Sequence, residues 1–302
     1  MKPVWAFLRL GRPRFLVGGC VLFSLGTAIA ASQGHAIDWY RFGLGLSAIM
    51  SFQLMTNYAN EYFDFAADAA NRTPTRWSGG SRVLVSNQLP RSVALIASIV
   101  LGALGIAWTC VLSRTTEIEA VLTLVAIAIL AWEYSAPPLR LCARGFGEFD
   151  TALVVTALVP WLGFYLQAPD LRGVRILLVA TLPLVLLQFA MSLAIEVPDR
   201  IGDAATGKRT LVVRWGPARA LRWYSIATLS AYGWLPVATM LGMPVPVALI
   251  TSLPMTFTLG SVVQANQRDR RMHFEKLTFS AVSQLGFTAM AELLGFTLYA
   301  LG

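Results

Sequence analysis

The chain has 302 residues, of which 56% are hydrophobic and only 13% charged, with a formal net charge of +8. A soluble globular domain carries nearer a quarter charged residues, so an ordinary water-soluble fold is excluded. Three scattered cysteines (Cys20, Cys110, Cys142), none in a CxxC pair, support neither a disulfide framework nor a zinc site. The two histidines, His35 and His273, have no second ligand nearby in sequence.

Apolar runs recur along the whole chain, each about long enough to cross a ~30 Å hydrocarbon layer as a helix. Nine spans are predicted, at 15–33, 42–63, 92–112, 119–135, 151–167, 176–196, 223–241, 244–264 and 279–301. Hydrocarbon cannot satisfy free backbone polar groups, so these runs are expected to be helices. Ala28-Ile29-Ala30 in the first run has the small-residue pattern of a signal-peptidase site. With eight further runs behind it, an uncleaved first span is expected.

The connections alternate. Those after spans one, three, five and seven are short, whereas those after spans two, four, six and eight hold most polar residues. The N-terminus and the even connections together carry 20 of the 24 Lys and Arg. This asymmetry places them in the cytoplasm, with Arg9, Arg12 and Arg14 as inside-positive anchors. The basic excess therefore reflects membrane orientation and anionic lipid, not nucleic acid.

Two polar segments stand out. The first closes span two, from Asn57 to Asp68, and on a helix Asn60, Asp64 and Asp68 lie four apart along one face, with Glu61 beside it. Carboxylates at the edge of an apolar span are costly unless a cation neutralises them, and oxygen-only donors suit magnesium. The plainer alternative is a solvated helix end. The second segment closes span six: Glu196, Asp199 and Asp203, followed by Lys208 and Arg209. Pro198 is placed to break the helix there. Two acidic clusters with neighbouring cations on one membrane face point to a single ligand, a diphosphate held through bridging magnesium.

The motifs resemble those of the UbiA superfamily of intramembrane prenyltransferases, most closely its 1,4-dihydroxy-2-naphthoate branch of menaquinone biosynthesis. Asn60-Glu61-x-x-Asp64-x-x-x-Asp68 is similar to the first family motif, and Asp199-x-x-x-Asp203 followed by Gly207-Lys208-Arg209-Thr210-Leu211 to the second. Ser78-Gly79-Gly80-Ser81-Arg82-Val83-Leu84 resembles the loop after the first motif. Tyr134-Ser135-Ala136-Pro137-Pro138-Leu139-Arg140, with Arg144-Gly145-Phe146-Gly147-Glu148, resembles the loop between spans four and five. Glu61 stands where the family usually has Asp, Ala66 and Ala67 where the menaquinone enzymes often have Lys and Gly, and Glu196 where many members have Asn.

The resemblance implies one all-α integral membrane domain over 1–302, a bundle of nine transmembrane helices with a central cavity opening to the cytoplasm. It implies a Mg2+-dependent enzyme that takes a polyprenyl diphosphate and an aromatic acceptor, with membrane lipid as its surroundings. Asn60, Asp64, Asp68, Asp199 and Asp203 are the implied metal ligands. Arg82, Lys208 and Arg209 would grip the diphosphate, and Tyr134 and Arg140 would belong to the capping loop. Glu61 and Glu196 are candidates for metal ligation or for a base. Two rival readings share these residues: an intramembrane terpene cyclase, and a transporter using the acids as a coupling-ion site. Glu292, inside span nine, is a functional candidate by position, but the expected reading is a buried acid hydrogen-bonded to Ser280, Ser283 or Thr288 or to a neighbouring helix.

Overall fold

The computed structural model describes residues 3–256 and 274–302, and all their regular structure is helical. In chain order the helices are α1 (Pro3–Leu10), α2 (Pro13–Ser32), α3 (Trp39–Phe63), α4 (Phe65–Ala70), α5 (Arg91–Leu112) and α6 (Ile118–Glu133). Then come α7 (Leu141–Arg144), α8 (Gly147–Leu153), a π turn (Val154–Leu158), α9 (Val159–Tyr165) and α10 (Val174–Glu196). The remainder are α11 (Arg200–Ala205), α12 (Leu211–Trp215), α13 (Pro217–Gly233), α14 (Leu235–Met240), α15 (Val245–Ser252) and α16 (Phe274–Leu301).

Four of these helices, α2, α5, α10 and α16, are long and apolar enough to cross a membrane by themselves. The other expected spans are broken or diluted for identifiable reasons. Polar residues at the end of α3, among them Asn57, Asn60 and Glu61, lower its apolar character. Pro160 lacks the N–H that would bond Thr156, and the wider π turn lies immediately before it, between α8 and α9. Pro236 sits in the first turn of α14, just past the break that separates it from α13. The predicted eighth span begins in α15, and its stretch beyond residue 256 lies outside the described residues.

Packing between helices relies on small residues at close crossings. A Cβ on Gly26 would lie 1.9 Å from the Pro160 carbonyl oxygen, and one on Gly163 would lie 2.1 Å from that of Phe23. Thr27 Oγ1 donates to the Gly163 carbonyl at 3.0 Å across the same seam. Without a hydrophobic drive between helices in lipid, such backbone approach carries association. Gly163→Val should therefore force α2 and α9 apart. We expect a loss of roughly 1–3 kcal/mol or more, read as a lower thermal midpoint in detergent; an unchanged midpoint would refute the seam. Conversely, α5 turns Ile96, Ile99, Val100 and Ile106 outward, and α16 exposes Phe287, Met290, Leu294 and Leu298. In a bilayer that face meets lipid tails.

The polar connections meet at one end of the bundle. The Arg76 N–H donates to Glu275 of α16 at 3.0 Å, and Thr278 reaches Thr75 at 3.3 Å. The Arg209 N–H donates to the Ala143 carbonyl at 2.7 Å, which joins the segments after α6 and after α10.

Candidate functional site

The first acidic segment keeps its i to i+4 backbone bonds through Asp64 and Asp68 (2.8 and 2.9 Å), but the helix is interrupted at Asp64, where α3 gives way to α4. The single straight face expected for Asn60, Asp64 and Asp68 is therefore a bent one. Asn60 Nδ2 donates to Asp64 Oδ2 at 2.7 Å and to Ser135 Oγ at 3.0 Å. The second acidic segment breaks after Glu196, as Pro198 requires, so that Asp199 heads α11 and Asp203 lies one turn on.

These segments, more than a hundred residues apart, join directly. Lys208 Nζ lies 2.9 Å from Asp64 Oδ2 and 3.2 Å from Asp203 Oδ1, with its side chain almost wholly buried. Asp199 accepts from Asn71 Nδ2 at 2.6 Å and from the Gly79 N–H at 3.0 Å. Gly80 holds the loop against Asp68, since a Cβ there would stand 2.2 Å from Asp68 Oδ2 and its φ is +73°. Arg82, itself left-handed at φ 65°, donates from Nη1 to the Asp68 carbonyl. One wall of the cluster is thus α3–α4, another is the 78–82 loop, and the third is α11 with Lys208.

Glu61 and Glu196 are placed differently from the sequence expectation. Glu61 is saturated by Arg12 (Nη2 2.6 Å, Nε 2.7 Å), the Ser81 N–H (2.6 Å) and the Ser81 hydroxyl (2.7 Å). It works as a clamp between the N-terminal segment, α3 and the loop. Glu196 does not extend the face of Asp199; it lies close to Glu148 of α8. Glu148 in turn accepts from the Leu211 N–H at 2.6 Å.

Arg140 and Arg209 do not join the carboxylates. With Arg144 and Arg214 they line a separate open recess of about 460 Å3. Tyr134 instead lines the large cavity of about 500 Å3 that begins at Arg12 and Asn60 and runs between α2, α3, α10 and α16. Glu292 is fully buried and, among the described residues, neither carboxylate oxygen has a hydrogen-bond partner, so the partners expected for it are not made there.

Arg12 is more than the inside-positive anchor expected of it: it holds Glu61 and also donates to Asn60 Oδ1 at 3.1 Å. Its signal is local: Arg12 precedes Pro13 and adopts φ 48°, an uncommon left-handed conformation. Asn71, the partner of Asp199, was not singled out in the sequence, although it stands only three residues beyond Asp68.

The donor set suits a hard divalent cation in its chemistry. Burial pushes Asp68 up to about 8, although Arg12 pulls the other way, and burial with the Asp203 charge pushes Asp199 up to about 7. Burial disfavours the charged form of these carboxylates, and a bound cation would offset that cost. The positive charge now between Asp64 and Asp203 is the Lys208 ammonium. Among the described residues no three His, Cys, Asp or Glu side chains are grouped tightly enough to enclose an ion as they stand. Oxygen donors at these helix ends would fit magnesium once Lys208 turns toward an anionic ligand.

The helical bundle brings carboxylates from two distant segments together through one lysine, and Asn60 of the same cluster also lines the apolar cavity. The chain matches the UbiA prenyltransferase family over residues 21–282 and belongs to that family. It is an integral membrane prenyltransferase. It is 24% identical over 240 residues to 1,4-dihydroxy-2-naphthoate octaprenyltransferase of Bacillus subtilis, covering 79% of this chain and 75% of that one. It is 27% identical over 279 residues to the chloroplastic 2-carboxy-1,4-naphthoquinone phytyltransferase of Arabidopsis thaliana, covering 89% and 70%. In fold it resembles a UbiA homologue from Archaeoglobus fulgidus bound to DMAPP and Mg2+, with a TM-score of 0.66 at 17% identity over 95% and 98% of the two chains.

Proposed function

We propose that the protein transfers a polyprenyl group from a polyprenyl diphosphate to 1,4-dihydroxy-2-naphthoate, a step of menaquinone-type quinone biosynthesis. The reaction is Mg2+-dependent. The chain acts as one domain, 1–302, of nine transmembrane helices in the cell membrane, with its N-terminus and the site on the cytoplasmic side. The observation that carries this reading is the direct junction of the two acidic segments through Lys208, beside a cavity with mainly apolar walls. The acceptor is supported by the names of the two naphthoate-type relatives, and the metal by the A. fulgidus homologue's bound Mg2+.

In this mechanism Asp64, Asp68, Asp199 and Asp203, with Asn60, hold the metal. When bound, magnesium neutralises the departing diphosphate as a Lewis acid. Lys208 and Arg82 add hydrogen bonds to the remaining diphosphate oxygens. Glu61 and Arg12 keep the 78–82 loop, and with it the Gly79–Asp199 contact, in register. The allylic C–O bond breaks and its electron pair leaves with the diphosphate. A ring carbon of the acceptor then forms the new C–C bond, and the ring loses a proton, or carbon dioxide where it bears a carboxylate. Apolar side chains from α2, α3 and α16 exclude water from the cation. The acids' position at helix ends, and not at mid-span breaks, weighs against the transporter reading.

The test is product analysis with Mg2+ and geranylgeranyl diphosphate, with dihydroxynaphthoate, 4-hydroxybenzoate or homogentisate, and without acceptor. Prenylated naphthoate is the expected main product. A terpene alcohol or hydrocarbon formed equally without acceptor would replace this reading with the cyclase.

A further inference from the structure

The large cavity is apolar along most of its wall, yet one patch is not. Asp150 and Thr151 on α8 and Gln188 and Ser192 on α10 all line it. Asp150 is 8% exposed, its Oδ1 is buried without a hydrogen-bond partner, and its side chain makes no ion pair among the described residues. A carboxylate in such a place is costly unless something donates to it. Nearby polar side chains do not fill this need: Thr151 Oγ1 pairs with Ser192 Oγ at 3.1 Å, leaving Asp150 open toward the cavity.

The level of the patch is fixed by that pair. Ser192 lies four residues before Glu196 on α10, so it stands about 6 Å along the helix from the carboxylate end, and Gln188 about 12 Å. Asp150 therefore sits roughly one helical turn inside the metal-binding rim. An allylic carbon attached to a diphosphate at the rim would arrive at this depth. The isoprenoid chain itself has no group that donates a hydrogen bond, so it has no use for a carboxylate.

We propose that Asp150, with Gln188 and Ser192 beside it, forms the subsite for the hydroxylated aromatic acceptor, Asp150 accepting a hydrogen bond from a ring hydroxyl. This rests on the prenyl-transfer reading above and adds a specificity-determining residue to it. The contact orients the ring, and drawing the hydroxyl proton toward Asp150 raises electron density on the ring carbon that attacks. A terpene cyclase, which has no acceptor, would gain nothing from this patch.

The experiment is steady-state kinetics of wild type, Asp150→Leu and Asp150→Asn with geranylgeranyl diphosphate and either dihydroxynaphthoate or its two mono-methyl ethers. Loss of a hydrogen bond to a charged group should raise the acceptor KM of Asp150→Leu about 10–100-fold, with the diphosphate KM unchanged. Asp150→Asn, which keeps an acceptor oxygen, should lose less. One of the two methyl ethers should cost the wild type a similar factor and cost Asp150→Leu nothing further, because both changes remove the same bond. Equal shifts in both KM values, or additive losses with both ethers, would overturn the proposal while leaving prenyl transfer intact. The wild-type ether arm stands even if a variant does not fold. Wild type that prenylates none of these aromatics would overturn the transfer reading and this one together.

Discussion

Asp64→Asn is expected to lower the turnover of the purified enzyme by about 10²–10³-fold, the usual scale for removing one preorganised electrostatic group from a reacting centre. The side chain keeps its shape and can still meet Asn60, but the charge that faces Lys208 at 2.9 Å disappears. Asp203→Asn removes the other partner of that lysine, at 3.2 Å, and should cost a comparable factor. Because both carboxylates act through the same cation and diphosphate, the double substitution should cost far less than the product of the two. The Mg2+ concentration giving half-maximal rate should also rise in each variant. Cys142→Ser is the neighbouring control: its sulfur lies 3.9 Å from Asp64 Oδ2, yet it brings no charge to the site. If both Asn variants turned over at the wild-type rate with the wild-type Mg2+ requirement, the metal–diphosphate reading would be wrong.

The second large effect is on stability. Arg12→Leu should destabilise the protein by about 3–5 kcal/mol, because one partner of a buried pair is removed and the other stays in place without it. The Glu61 side chain is 2% exposed, so water cannot take over from the guanidinium. Ser81 would still donate two hydrogen bonds, but neither supplies a positive charge. Adding Glu61→Gln to Arg12→Leu should restore most of the loss, since the neutral amide no longer needs a counter-charge. Thermal unfolding of the four proteins of this cycle, in one detergent and at one salt concentration, gives the answer. Strictly additive losses would show that Arg12 and Glu61 are independent. Activity in Arg12→Leu should also fall, because the loop that carries Gly79 to Asp199 is tied down through Ser81 and Glu61.

Much of the fold was legible because hydrocarbon imposes a simple rule. The helices α2, α5, α10 and α16 fall within a few residues of predicted spans one, three, six and nine. The interruptions were less legible. Pro160 and Pro236 lie inside runs that read as unbroken by hydropathy, and each lies next to a break or a widened turn that hydropathy does not register. Pro198 was readable because the break it causes falls where the apolar run already ends.

The candidate site divides in the same way. Spacing alone grouped Asn60 with Asp64 and Asp68, and Asp199 with Asp203, because residues four apart on a helix are neighbours whatever else the chain does. Spacing also grouped Glu196 with Asp199 and Lys208 with Arg209, and there it misled. The helix ends between Glu196 and Asp199, so Glu196 turns to Glu148 while Asp199 meets Asn71. Lys208 and Arg209 are adjacent, yet one reaches Asp64 and the other lines the arginine recess.

The sequence by itself determined that this is a membrane-embedded helical protein, which end of each helix is polar, and which two segments carry the carboxylates. These are properties of single helices, set by hydropathy and by a repeat of 3.6 residues per turn. Only the tertiary structure decided that Arg12 closes on Glu61, that Lys208 joins Asp64 to Asp203, and that Asp150 faces the cavity with its Oδ1 unpaired among the described residues. Those are contacts between segments 40 to 150 residues apart. They depend on how glycine-lined seams such as Gly26–Gly163 let helices approach, which no local pattern encodes.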